Sequence, residues 1–356
     1  MRNNNNLGVR FSQLSLSSTP FRLVIPARGD RIIFWTVSLI LLVVVGITNR
    51  SGMLDNENYL NYFKETDLEW FLNIFTLRKN NISLVFSFFT EEFLWRAWAL
   101  TLGSIFAEDT AVLVTVLLLN LLVILALSKL SRPLFGILLW ILLPPALATI
   151  GTFQIRQGFA FSIVLYMALS LKRPTLGYFI AASIHTTFLI TLVYALTLKL
   201  LKKPNTRLLL IYFFISLIFT LAGNQLFYDY GGRRAEQYSI QEGSDSINYI
   251  FGALIVSIPS FLNLIQHEKN LTLIKELSSI HIGCIFFIIM SWFLFPIGTS
   301  RNGYFALLFL IPILPEFRKK GYFTWYFLLL ILVYLAYIIM KTYTDGGYNE
   351  ILKALY

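Results

Sequence analysis

Apolar runs of roughly 15 to 22 residues recur from residue 32 to residue 341. Each run is long enough to cross a ~30 Å hydrocarbon core at ~1.5 Å rise per residue. The alternating ten-residue segments of a membrane β-barrel are absent from the sequence, so the pattern predicts helical spans. The expected spans are 32–48, 110–128, 133–152, 157–171, 207–226, 247–265, 277–297, 303–317 and 322–341.

One apolar segment does not fit a simple crossing. Residues 175–198, TLGYFIAASIHTTFLITLVYALTL, have basic clusters at both ends, LKRP before and KLLKKPNTR after. A single crossing would place one cluster outside. Two short half-helices that rise to about His185 and descend again avoid this, and such a hairpin is tolerated where it packs within protein or lines a cavity. With these half-helices the expectation is an all-α polytopic bundle of about 11 transmembrane or half-membrane helices with loops on the outer face.

Charge orients the bundle. Most of the 29 Lys and Arg fall in the basic segment 1–31 or in the connections SKLSRP, LKRP, KLLKKPNTR, QHEKNLTLIK and RKK. The positive-inside rule therefore places these segments in the cytoplasm. The expected organisation is a basic cytoplasmic tail, 1–31, a single transmembrane domain, 32–341, and an outer C-terminal tail, 342–356. An acidic connection, 49–109, and a loop, 227–246, then lie outside. Segment 1–31 lacks the short apolar region and cleavage site of a signal peptide and reads as a retained tail.

Composition narrows the class. With 56% apolar and 13% charged residues, and a mean hydropathy of +0.68, the chain has too little polar surface for a soluble globule. The net charge of +10 does not call for nucleic acid, because cytoplasmic turns and anionic lipid account for it. The single cysteine, Cys284, excludes internal disulfides and thiolate clusters, and His185, His267 and His281 have no ligand spacing. No metal or other cofactor is expected. Transporters place charge near the midplane along a path between faces, and many carry internal repeats. Here the unusual residues crowd toward one face.

Those residues are arginines. Arg156 lies at the outer turn of the hairpin 133–171, about 24 Å above Lys172 if the intervening chain is helical. Arg301 stands at a similar height above Arg318, and His185 about 21 Å above Lys199. Arg233 and Arg234 follow a flexible Gly231-Gly232 joint in the outer loop. Guanidinium groups bind phosphate in a planar, bidentate fashion. At this depth the natural anion is the diphosphate headgroup of a lipid-linked intermediate. Individually, each arginine has an ordinary alternative: snorkelling to phospholipid phosphate, or capping a helix C-terminus.

Several segments resemble the EpsG-like family of Wzy-type bacterial polysaccharide polymerases. They are NRSGMLDNENYLNYF (Asp55, Tyr59), EEFLWRAWAL (Glu92), IRQGFAFSIVLYMAL (Arg156, Gln157), ASIHTTFLI (His185), GGRRAEQY (Arg233, Arg234, Tyr238) and SRNGYFALLFLIPIL (Arg301, Tyr304). They occur in family order across residues 33–317. The resemblance implies a glycosyltransferase of the GT-C type in the bacterial inner membrane, with its site facing the periplasm. It implies transfer of a growing glycan from undecaprenyl diphosphate to the non-reducing end of another lipid-linked repeat unit. Its partners would be those two lipid-linked oligosaccharides, the bilayer, a chain-length regulator and a flippase.

On that basis Arg156 and Arg301 are expected to clamp the diphosphate, with Arg233 or Arg234 completing the site. Gln157, Tyr238 and Tyr304 are expected to contact substrate. His185 is the first candidate for the general base, since free imidazole titrates at about 6.5; a hydrogen-bonded packing histidine is the alternative. Glu92 and Asp55 are the other candidate bases, although Glu91, Glu92 and Arg96 are also spaced for helix-surface pairs. Trp70, Trp95 and Trp98 suit either sugar faces or an interfacial aromatic belt. An O-antigen-type ligase and a flippase or transporter of lipid-linked oligosaccharide remain competing functions.

Overall fold

The computed structural model describes residues 27–50, 55–77, 88–143, 145–201, 206–230, 248–265, 272–294, 305–316, 328–336 and 340. Among them the regular structure is entirely helical. In chain order, α1 is Ala27–Ile47, α2 Asn56–Glu65, α3 Leu68–Leu77, α4 Phe93–Gly103 and α5 Glu108–Leu127. Then come α6 Pro133–Leu142, α7 Ile155–Leu165, α8 Pro174–Ile184 and α9 Leu189–Leu201. The last are α10 Thr206–Tyr230, α11 Asn248–Ile265, α12 Thr272–Leu294 and α13 Leu310–Glu316. A further helical segment covers 328–336.

Within the described residues, α1, α5 and α12 have stretches long and apolar enough to cross a membrane unaided. The chain is a multi-pass membrane protein. Its large apolar side chains at the periphery, such as Ile32, Leu39 and Ile47 of α1, stand open where the lipid would be.

The shorter helices have identifiable stops. Pro133 and Pro174 each occupy a first helical turn, where a missing N–H costs nothing. The expected single span 133–152 is in fact broken. Leu143 turns extended after α6, and Pro145–Ile150 continues as a π-helical segment. A second π segment, Tyr166–Ser170, ends α7, and Lys172 takes a left-handed conformation (φ 57°) before α8 begins.

The break expected near His185 is present. His185 itself is extended (φ −148°, ψ 122°), followed by a 3₁₀ turn, Thr186–Phe188, and then by α9. The 49–109 stretch, read from sequence as a connection, contains α2, α3 and α4. Of these, α2 and α4 pack on each other and on α5, while α4 also packs on α8.

Helix α7 lies between α5 and α8, so its N-terminal turn is fixed by the same elements that carry α2 and α4. A buried polar staple secures that turn. The Asn120 amide donates to Gly151 O at 3.0 Å and to Val116 O at 2.9 Å, and its oxygen accepts from Trp140 Nε1 at 3.0 Å. Gly158 completes the arrangement: a Cβ there would fall 1.8 Å from Ile150 O, so only glycine lets α7 start against the π segment. Away from this region, α12 packs against α9, α10 and α11.

Candidate active site

Arg156 sits in the first turn of α7, at the turn where the sequence placed it. Arginine there adds to the positive end of the helix dipole, so the position attracts anions. In this structure the anion is a carboxylate. Arg156 Nη1 contacts Glu92 Oε2 directly and donates to the Tyr62 hydroxyl at 3.1 Å. The guanidinium lies against two rings of α2, 5.0 Å from the Tyr62 centroid and 5.9 Å from that of Tyr59.

Glu92 is held by an unusual backbone. It adopts φ 54°, ψ 53°, the left-handed region, at the N-cap of α4. A non-glycine residue there costs about 1–2 kcal/mol, and such conformations gather at functional sites. The side chain of Glu91 is exposed while Glu92 is 3% exposed. The helix-surface pairing of Glu92 with Arg96 is therefore corrected: Glu92 points inward and pairs with a residue on another helix.

His185 joins the pair from the other side. Its Nε2 lies 4.0 Å from Glu92 Oε1. Its Nδ1 accepts from the Thr187 amide at 3.4 Å and is 2.8 Å from the Thr187 hydroxyl. With Nδ1 as acceptor, the neutral ring carries its proton on Nε2, the nitrogen that faces Glu92. The helix break at His185 produces this geometry, because the extended residue lets the imidazole cap the following 3₁₀ turn.

A second cation borders the site. Arg96 lies 4.3 Å from the Tyr62 centroid and 4.8 Å from that of Trp70, and Nη1 donates to Thr66 Oγ1 at 3.1 Å. Tyr62 is thus flanked by two guanidinium groups. Beneath it, Trp95 is fully buried, 5.8 to 6.2 Å from Tyr59, Tyr62 and Phe63. Burial pushes the Tyr59 phenol up to about 12, against the opposing pull of the Arg156 charge.

Several buried donors around Arg156 have hydrogen-bonding capacity to spare. Arg156 Nε, Gln157 Nε2 and Trp95 Nε1 are buried without a hydrogen-bond partner among the described residues. All three are donors. Gln157, 6% exposed, shares the first turn of α7 with Arg156. A site with spare buried donors suits a ligand rich in acceptor oxygens.

Of the residues expected from sequence, Glu92, Arg156 and His185 converge, with Gln157 beside them. Asp55 precedes α2 one turn before Tyr59 and accepts from the Asn58 amide at 3.3 Å. Arg233, Arg234, Tyr238, Arg301 and Tyr304 lie outside the described residues. The aromatic belt is corrected for Trp95, which is a core residue; Trp98 is half-buried and donates to Thr115 Oγ1 of α5 at 3.0 Å. Tyr62, Thr66, Arg96 and Thr187 were not anticipated as site residues. The Tyr59/Tyr62 spacing on one face of α2 was a readable sign of the ring pair.

Fold and site together define a polytopic helical membrane protein with a buried, cation-bearing polar site at the end of a short apolar helix. The chain belongs to the EpsG family, whose family model matches residues 31–353. That family is associated with polysaccharide polymerases of the Wzy type. No curated protein and no solved structure matches the chain.

Proposed function

We propose that this protein is a glycosyltransferase of the GT-C type that polymerises lipid-linked repeat units. It transfers a growing glycan from undecaprenyl diphosphate to the non-reducing end of a second lipid-linked unit, at the outer face of the bacterial inner membrane. The observation that carries this reading is the donor surplus around Arg156 in a chain of the EpsG family. A diphosphate leaving group gains negative charge as the glycosidic bond breaks, and preorganised donors at that point lower the barrier. Arg156 supplies a guanidinium, the α7 N-terminus adds its dipole, and Gln157 supplies an amide N–H. Arg233, Arg234 and Arg301 are proposed to complete the cationic site, with Tyr238 and Tyr304 contacting the glycan.

The test is polymerisation of a purified lipid-diphosphate-linked repeat unit by the protein in liposomes, with and without chelator. A product ladder that survives chelation and is lost in folded Arg156→Ala supports a metal-independent polymerase. Arg156→Lys retains the charge but not the fork, and is expected to lose on the order of 100-fold in rate. Transfer onto a non-polymer acceptor without a ladder would favour a ligase. Movement of the lipid-linked unit between leaflets without new glycosidic bonds would favour a flippase.

A further inference from the structure

The site as it stands is closed by its own carboxylate. Glu92 occupies the guanidinium that the diphosphate would need, and it does so from a left-handed backbone with its side chain almost wholly buried. A purely structural partner for Arg156 needs no such placement. The second feature is the state of His185. Where Nδ1 accepts from the Thr187 amide, the neutral ring carries its proton on Nε2, and in that tautomer neither nitrogen is open to accept a proton from an incoming hydroxyl. The group beside it that has proton-accepting capacity is Glu92, whose Oε1 faces His185 Nε2 at 4.0 Å.

We infer that Glu92 is the catalytic base and that it is released for this role when the donor diphosphate takes its place on Arg156. The inference rests on the polymerase reading above. With the diphosphate bound, Arg156 turns its donors to the phosphate oxygens, and Glu92 keeps His185 Nε2–H as a neighbour. The acceptor hydroxyl then attacks the anomeric carbon. A new C–O bond forms, the bond from that carbon to the diphosphate oxygen breaks, and its electron pair leaves with the diphosphate. The hydroxyl proton passes to the Glu92 carboxylate. His185 acts as a positioning residue, and Thr187 sets its tautomer. Release by the donor prevents an unpaired base from accumulating in the empty enzyme, where a buried lone carboxylate would be costly.

Full-length protein in detergent or liposomes tests this with two readouts. Inorganic pyrophosphate serves as the anion probe, and the lipid-diphosphate-linked repeat unit as the substrate. Because Glu92 competes with the anion for Arg156, Glu92→Gln is expected to bind pyrophosphate several-fold tighter than wild type while losing polymerisation by about 100-fold or more. A residue that merely supports Arg156 would lower both. Glu92→Ala is expected to recover at least tenfold of its lost rate with added formate, a small carboxylate that fits the space of the side chain. Should Glu92→Gln fail to fold, Glu92→Asp keeps the charge one methylene back. It is expected to bind pyrophosphate near wild-type strength with a rate reduced by at least tenfold. Active wild type together with an active Glu92→Gln overturns the base role alone, as does weakened pyrophosphate binding in a well-folded Glu92→Gln. Wild type that makes no polymer overturns the polymerase reading and the base role with it.

Discussion

Glu92 and Arg156 meet across 64 residues of sequence, one at the N-cap of α4 and the other in the first turn of α7. Neither helix reaches the other by local geometry. The pair forms because α4 and α7 both pack on α5 and α8. It therefore reports both on the assembly of these helices and on the chemistry of the site.

The pair should show strong coupling. Removing one member of a buried ion pair leaves an uncompensated charge and costs about 3–5 kcal/mol, whereas removing both costs much less than the sum. Glu92→Ala and Arg156→Ala are each expected to lower the thermal midpoint in detergent, and the double variant to recover part of the loss. Additive losses would show that the contact contributes little to the folded state.

Substitution at His185 separates a base from a positioning group. Glutamine places an amide N–H near the position of Nε2 but has no basic nitrogen. His185→Gln is expected to retain polymerisation within roughly tenfold of wild type, and His185→Ala to fall further. Complete loss in a folded His185→Gln, with Glu92→Gln still active, would return the base role to the histidine.

Asn120 makes no contact with the cluster but governs where Arg156 sits. Its amide bonds Gly151 O, and its oxygen takes the Trp140 indole N–H. Leucine at this position leaves both partners unsatisfied in the interior, at about 1–3 kcal/mol each. Asn120→Leu is expected to lower the unfolding midpoint and to reduce polymerisation beyond what the loss of folded protein explains. Unchanged activity per folded molecule would mean that the 151–154 turn is held by other contacts.

What was readable in the sequence follows a physical division. The helical class and the break at His185 were legible because they depend on local quantities: run length, flanking charge and the cost of burying polar backbone. Arg156 stood out because an arginine between apolar runs is expensive in a membrane. The inward turn of Glu92 was not legible, since it depends on a left-handed φ that glutamate rarely adopts. For the same reason the local spacing of Glu92 and Arg96 points to the helix surface, whereas Glu92 turns inward to Arg156. From sequence Trp95 suits either a sugar face or the interfacial belt; its burial comes from α2 folding over it, a tertiary fact. The half-span 133–142 ends early because Leu143 leaves the helix before a π segment begins, and apolar run length alone does not encode that stop.

Tyr59 offers a test of the cluster that does not depend on catalysis. Its phenol is raised from 10.0 to about 12, chiefly by burial, so the folded protein holds that proton more tightly than the unfolded chain. The sign follows directly: stability from this group is fully present below pH 10, where both states are protonated. It declines as pH rises from 10 through 12, where the unfolded chain ionises first. A shift of this size corresponds to an upper limit of about 2–3 kcal/mol. Tyr59→Phe fills nearly the same space without a titrating group, so it should lack this part of the alkaline decline. Unfolding midpoints of wild type and Tyr59→Phe measured from pH 9 to 12 are expected to converge or cross as pH rises, with wild type falling faster. Parallel curves would show that Tyr59 is hydrated in the folded protein and that the floor beneath Arg156 is open to water.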